Sequence, residues 1–348
     1  MINLSIKMEF KLLLFDSYVD LVTIKVLPNE FRKETMMDIY VVATSIMVMG
    51  IIIAIGATLA FKVEITTEIK HVLILIILNI AVPSIILNGV FNTEVTTQLL
   101  HQVVIIFGLS VIFHLGALLF AWILSRLLRF ESTFAKKMTI LAALGNTGFI
   151  GIPLCATIFG PVGGLLAAIF DAGLDIVLFS VVIYMLQSEK RFQFSQLKAL
   201  INIPLLAIII GLTAVITGVE PPQFLRQLTS MLSALAAPLA MLYIGMLLPP
   251  LFQKRGFLFY KQIWFPLGVR LLIIPIVTML IISLLPLDYL VSNIVIILSA
   301  MPTIMLATVL FARYSNDEEL AVITTVYSTL LSLLTIPIIA FIVTWWLN

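Results

Sequence analysis

Asp171 and Asp175 stand four residues apart in an otherwise apolar run, AAIFDAGLDIVLF. On a helix that spacing puts both carboxylates on one face. Inside a membrane an ionisable group costs roughly 2.5–3.5 kcal/mol on insertion scales, and it normally faces a cavity or a partner. The pair could take up a coupling proton or coordinate a cation. It could also form a structural ion pair with Arg270, the only Lys or Arg well inside an apolar run. Arg270 itself could attract an anionic substrate bidentately, or neutralise an aspartate.

A second group of residues lies in LGNTGFIGIPL, 144–154. Glycine weakens a helix and proline breaks its hydrogen-bond ladder, so this segment interrupts a run apolar enough to cross a membrane. Asn146 and Thr147 open the interruption. They could hydrogen-bond a substrate carboxylate, cap the following half-helix, or only satisfy broken backbone. Gly148 and Gly151 allow close backbone approach, and Pro153 ends the motif. AMPTIML, 300–306, is a second interruption, with Ser299 and Thr303 flanking Pro302. Those hydroxyls line the opposite half of a seat, or bond back to the preceding turn. Where Asn146 precedes Pro153, the equivalent position before Pro302 is Val295, and Asn293 and Ser299 are the nearby polar substitutes. His114 could titrate near neutral pH, but a lone His among apolar residues reads first as a packing residue. Asn79 and Asn88 read as interhelical hydrogen-bonders. Cys155 reads as packing, and Trp345 and Trp346 as interface anchors.

These residues need elements to hold them. The chain has 348 residues, 61% hydrophobic and 11% charged. A soluble domain is about 45–50% apolar and about 25% charged. With a mean hydropathy of +1.19, the class is an all-α integral membrane protein. A net charge of +2 and the absence of basic tracts leave no role for nucleic acid. One cysteine allows no internal disulfide and no cysteine-rich metal site. No cleaved secretory signal is evident.

Crossing a membrane takes roughly 20 mostly apolar residues. That ruler predicts ten spans, at about 39–61, 71–92, 101–125, 138–159, 163–187, 199–218, 228–248, 263–285, 289–311 and 320–346. Lys and Arg crowd the loops after the odd-numbered spans: Lys62 and Lys70, Arg126 to Lys137, Lys190 to Lys198, Lys254 to Lys261, and Arg313. The intervening loops hold only Arg226. By the positive-inside rule the basic side is cytoplasmic and both termini are extracytoplasmic, in the cell membrane. Residues 1–36 form a tail of mixed charge that fits this topology poorly, and the natural start is expected at Met36 or Met37. Native peptides from residues 1–35 would refute that.

An internal repeat supplies the architecture. AVPSIIL with Pro83 in the second span matches AAPLAML with Pro238 in the seventh. Pro153 in the fourth span matches Pro302 in the ninth at a nearly equal offset. Two five-helix units are expected, 37–190 and 191–348. An odd number of spans per unit means that the copies lie inverted. Interrupted segments at matching places in inverted repeats point to a transporter's binding site. A broken helix exposes backbone groups that survive only in protein or a water-filled cavity. Its restarting end carries partial positive charge and free N–H donors. The broken fourth and ninth spans are therefore expected to cross.

NTGFIGIPL, 146–154, resembles the corresponding segment of the auxin efflux carrier family, plant PIN carriers and bacterial members alike. AMPTIMLATVLFARYSND, 300–317, resembles that family's second crossover. VPSIIL, APLAMLYIGMLL, VRLLIIP and STLLSLLTIP also resemble it, so the likeness covers about residues 37–348. The resemblance implies a scaffold domain and a transport domain, elevator-like carriage of organic anions and a homodimer. Bacterial members are similar to malate and malonate permeases. The long central hydrophilic loop of many plant members is absent.

The expectation is thus a secondary transporter of small organic anions, mono- or dicarboxylate, auxin-like or malate/malonate-like. It needs no cofactor beyond a coupling ion, H+ first and Na+ second. An intramembrane hydrolase is disfavoured, because Asp171 and Asp175 share one helix and no G-x-S-x-G or H-E-x-x-H occurs. No G-x-x-x-x-G-K-[ST] occurs either, so energy would come from a gradient. A channel stays open as an alternative.

Overall fold

A computed structural model of the protein describes residues 39–93, 96–187, 201–255, 261–315 and 317–347. The tail, and the basic residues Lys190, Arg191 and Lys198, lie outside the described residues, as do the side chains of Lys254, Arg255, Trp345 and Trp346.

Every regular element among the described residues is helical. In chain order they are α1 (Ile39–Lys62), α2 (Thr67–Ile76), α3 (Val82–Phe91), α4 (Thr97–Leu127), α5 (Ser132–Ala143), α6 (Ile152–Val177) and α7 (Ile183–Leu186). There follow α8 (Ile203–Ile216), α9 (Gln223–Ser233), α10 (Ala236–Arg255), α11 (Trp264–Gly268), α12 (Ile274–Ile282), α13 (Tyr289–Ser299), α14 (Leu306–Tyr314) and α15 (Glu318–Leu347). Thr66 and Thr96 accept from the amides of Ile69 and Leu99 and so cap α2 and α4, and Asp288 caps α13 through Leu290.

Among the described residues seven helical runs are long and apolar enough to span a bilayer, where the sequence predicts ten spans. The difference has three causes. The fourth and ninth spans are cut, at 144–146 and 300–305, so α5, α13 and α14 are short. The sixth, α8, has 14 residues. The end of the fourth span and the fifth run on as Thr147–Leu186. That run is kinked at Gly160, whose φ of 70° and ψ of −166° suit glycine alone, just before Pro161. The large apolar side chains on the outside, among them Met47, Ile51, Val104, Ile112, Ile210, Leu284 and Leu334, are exposed as lipid contact requires. The protein is an all-helical, multi-pass membrane protein.

Proline shapes these helices without breaking most of them. Three π-helical turns, Ile77–Ala81, Thr147–Gly151 and Val269–Ile273, each end two residues before a proline: Pro83, Pro153 and Pro275. A proline ring clashes with the carbonyl four residues back, and a widened turn moves that carbonyl aside. A fourth π turn, Leu178–Val182, has no proline.

α1 packs along α10. There a Cβ on Gly56 would overlap the carbonyl of Leu242, and one on Gly245 the carbonyl of Ile53. α3 lies against α6, α8 and α9, while α4 lies against α5 and α6, and α13 against α6 and α12. Polar ties close both ends of the second group. Gln98 and Gln102 of α4 donate to the Asp288 carboxylate at 3.2 and 2.9 Å, and Lys137 of α5 pairs with Asp317 before α15.

Candidate functional site

The two interruptions meet. α5 stops at Ala143, and Leu144 turns extended, with φ −98° and ψ 126°. α13 stops at Ser299, and α14 begins only at Leu306. Between them Gly145 and Thr303 form an isolated antiparallel bridge. The Asn146 amide donates to the Pro302 carbonyl at 2.7 Å, and the Ile304 amide donates to the Leu144 carbonyl at 3.0 Å. Thr303 donates its hydroxyl to the Leu141 carbonyl at 3.0 Å, and its amide donates to Ser328 Oγ of α15 at 3.0 Å. Leu144, Thr147, Ser299, Ala300, Met301 and Thr303 are fully buried. An unpaired backbone group in this setting costs on the order of several kcal/mol, so each broken segment supplies what the other lacks.

Arg270, from the π turn Val269–Ile273, is fully buried beside this bridge. Its Nε donates to Met301 O at 2.7 Å, Nη1 to Ala143 O at 2.7 Å, and Nη2 to Ser299 O at 2.9 Å and Leu298 O at 3.3 Å. Ion pairs join Lys137 to Asp317 and Arg226 to Glu220, whereas Arg270 bonds to carbonyls and, among the described residues, not to Asp171 or Asp175.

The other sequence-selected side chains divide clearly. Asn146 is 2% exposed, and its Nδ2 has no hydrogen-bond partner among the described residues. Thr147 donates to Asp171 Oδ1 at 2.5 Å, which ties the restarting helix to the part of α6 beyond the Gly160 kink. A Cβ on Gly148 would stand 2.9 Å from Asp171 Oδ2, so glycine is what lets the carboxylate come this close. Gly151 faces the Leu298 side chain of α13. Asp175, one turn on, accepts from Asn202 Nδ2 at 2.9 Å, while Asn202 Oδ1 accepts from the Leu205 amide at 2.8 Å and caps α8.

Ser299 bonds back to Ile296 O at 2.6 Å, and Asn293 donates to Tyr289 O at 2.8 Å, leaving its buried Oδ1 without a partner. His114 Nδ1 contacts Ser110 O at 2.7 Å between Phe113 and Phe170.

Two cavities lie nearby, neither of them lined by Gly145, Asn146, Pro302 or Thr303. One of about 490 Å³ is lined by Tyr243, Met305, Thr308, Thr325 and Thr329, and it reaches Lys70, Glu318 and Glu319 at helix starts. Phe149, within the first interruption's π turn, stacks on Tyr243 at 6.4 Å. The other cavity, about 160 Å³, is lined by Asp171, Asp175, Asn202, Phe107, Ile152 and Ile208. Sequence reasoning missed Tyr243, Thr325, Ser328 and Asn202. Only Asn202 carried a signal, as an N-cap residue two positions before Pro204.

Comparison with known proteins points to transport. An uncharacterised transporter of Methanothermobacter thermautotrophicus is 26% identical over 265 residues, covering 76% of this chain and 85% of the relative. An uncharacterised transporter of Methanocaldococcus jannaschii is 27% identical over 208 residues, covering 58% of this chain and 66% of the relative. The profile of one family, described as membrane transport protein, matches residues 41–340. The chain is a transport protein, not an enzyme, and it belongs to the membrane transport protein family, the group to which the auxin efflux carrier resemblance pointed.

Proposed function

We propose that the protein is a secondary transporter of small organic anions, seated where the two interruptions meet. The observation that carries this reading is the Asn146 amide group, buried with an unpartnered Nδ2 at the start of a restarting helix. A buried donor left unmade costs about 1–3 kcal/mol, and an anion at the helix start would recover it. In this reading Asn146 and Thr147 contact the substrate carboxylate. Gly148, Gly151 and Pro153 shape the first segment, and Ser299, Pro302, Thr303 and Asn293 shape the second. The chain forms ten crossings in two inverted five-helix units, and the broken helices cross at the bridge. Transport proceeds by elevator-type alternating access, with Asp171 and Asp175 taking the coupling ion, a proton before sodium. The functional unit is a homodimer in the cell membrane, with both termini extracytoplasmic.

The test is uptake of labelled malate, malonate and indole-acetate into proteoliposomes, with and without imposed pH or sodium gradients. Saturable uptake of a carboxylate, with counterflow driven by unlabelled substrate inside, is expected. Non-saturable flux without counterflow would indicate a channel, and no flux of any carboxylate would remove the anion assignment.

A further inference from the structure

Arg270 holds a full positive charge with no exposed surface and no carboxylate partner among the described residues. A buried cation is tolerated only when something neutralises it. Its four acceptors share one property: Ala143 is the last residue of α5, Leu298 and Ser299 are the last two of α13, and Met301 follows them. Ala143 and Ser299 offer orphan carbonyls of the kind a helix leaves at its C-terminus, Leu298 O also accepts from the Met301 amide, and Met301 lies just past the helix. Each helix end carries roughly half an elementary negative charge, so two ends together offset one guanidinium. The planar fork of arginine reaches both ends at once, and a lysine ammonium has no such geometry. Position 145 is matched to it, because a Cβ on Gly145 would overlap the guanidinium.

We infer that Arg270 is a positioning residue for anion binding. It clamps the C-terminal ends of α5 and α13 together and cancels their negative dipoles, so the anion-attracting helix starts at Thr147, where the Asp171 carboxylate already sits, and at Leu306 face the crossing without opposing negative ends. The role in anion binding rests on the seat proposed above, whereas the clamp rests only on the hydrogen bonds. Arg270 acts through Asn146 and not by touching substrate.

The experiment has two readouts on the full chain. Hydrogen exchange is followed in peptides covering 140–151 and 298–307, which contain the bridging amides of Asn146 and Ile304. Arg270→Lys, Arg270→Gln and Gly145→Ala are each expected to speed exchange there tenfold or more, with α1 unchanged. Gly145→Ala keeps the cation and displaces it, so it serves if the Arg270 variants do not fold. Unchanged exchange in the bridge peptides, or an equal rise throughout α1, would overturn the clamp. The second readout is KM for labelled malate, malonate and indole-acetate. Arg270→Lys is expected to raise KM, and to raise it no further once Asn146→Ala is present. Multiplying effects would overturn action through Asn146. If Asn146→Ala alone leaves KM unchanged, the substrate seat is wrong, while the exchange data still decide the clamp.

Discussion

The amide of Asn146 donates to the carbonyl of Pro302 at 2.7 Å, joining two segments that each break a membrane helix. The bridge is held from outside by side chains. Thr303→Val would strip the donor to the Leu141 carbonyl, and Ser328→Ala would leave the Thr303 amide without its acceptor. Each buried loss should cost about 1–3 kcal/mol. Thermal unfolding in detergent should show both variants lowered and Thr303→Ser near wild type. A melting temperature untouched by Ser328→Ala would show that the bridge does not depend on α15.

Thr147 and Asp171 give a second test. Asp171→Asn keeps an oxygen able to accept from Thr147, yet removes the charge. If the carboxylate carries the coupling ion, this variant should still take up substrate but ignore an imposed gradient. Thr147→Val removes the donor that holds this carboxylate and should therefore alter the gradient response as well as substrate affinity. Stimulation by the gradient that survives in Asp171→Asn would assign coupling to other groups.

The α1–α10 contact is a matter of steric fit. With the carbonyls of Leu242 and Ile53 directly over Gly56 and Gly245, an added methyl has backbone in its way. Overpacking typically costs about 1–3 kcal/mol. Gly56→Ala and Gly245→Ala should both lower the unfolding temperature, whereas Gly50→Ala, with open space around it, should not. Equal behaviour of the three variants would contradict the close approach.

The two interruptions could be read from the sequence because polar residues and glycine in an apolar run have few explanations. NTGFIGIPL marked the first interruption, and AMPTIML the second. Proline was the weaker guide: Pro83, Pro153 and Pro275 follow widened turns, and the chain leaves the helix earlier, at Leu144. Fewer unbroken apolar helices than expected spans appear among the described residues, because a hydropathy window does not register a break at Asn146 or a continuation past Gly160. Arg270 stood out as a buried cation, but which carbonyls surround it depends on two segments distant in the chain. Tyr243 and Thr325 look like ordinary helix residues, and only packing brings them to a cavity.

The most direct measurement is KM for carboxylate uptake by Asn146→Ala beside wild type, with thermal stability measured on the same preparations. Because Asn146 Nδ2 makes no hydrogen bond among the described residues, its loss should change stability little. A hydrogen bond to a charged group is worth about 1.5–3 kcal/mol, so KM should rise roughly 10- to 150-fold. An unchanged KM in a stable Asn146→Ala protein would contradict the seat at the crossing.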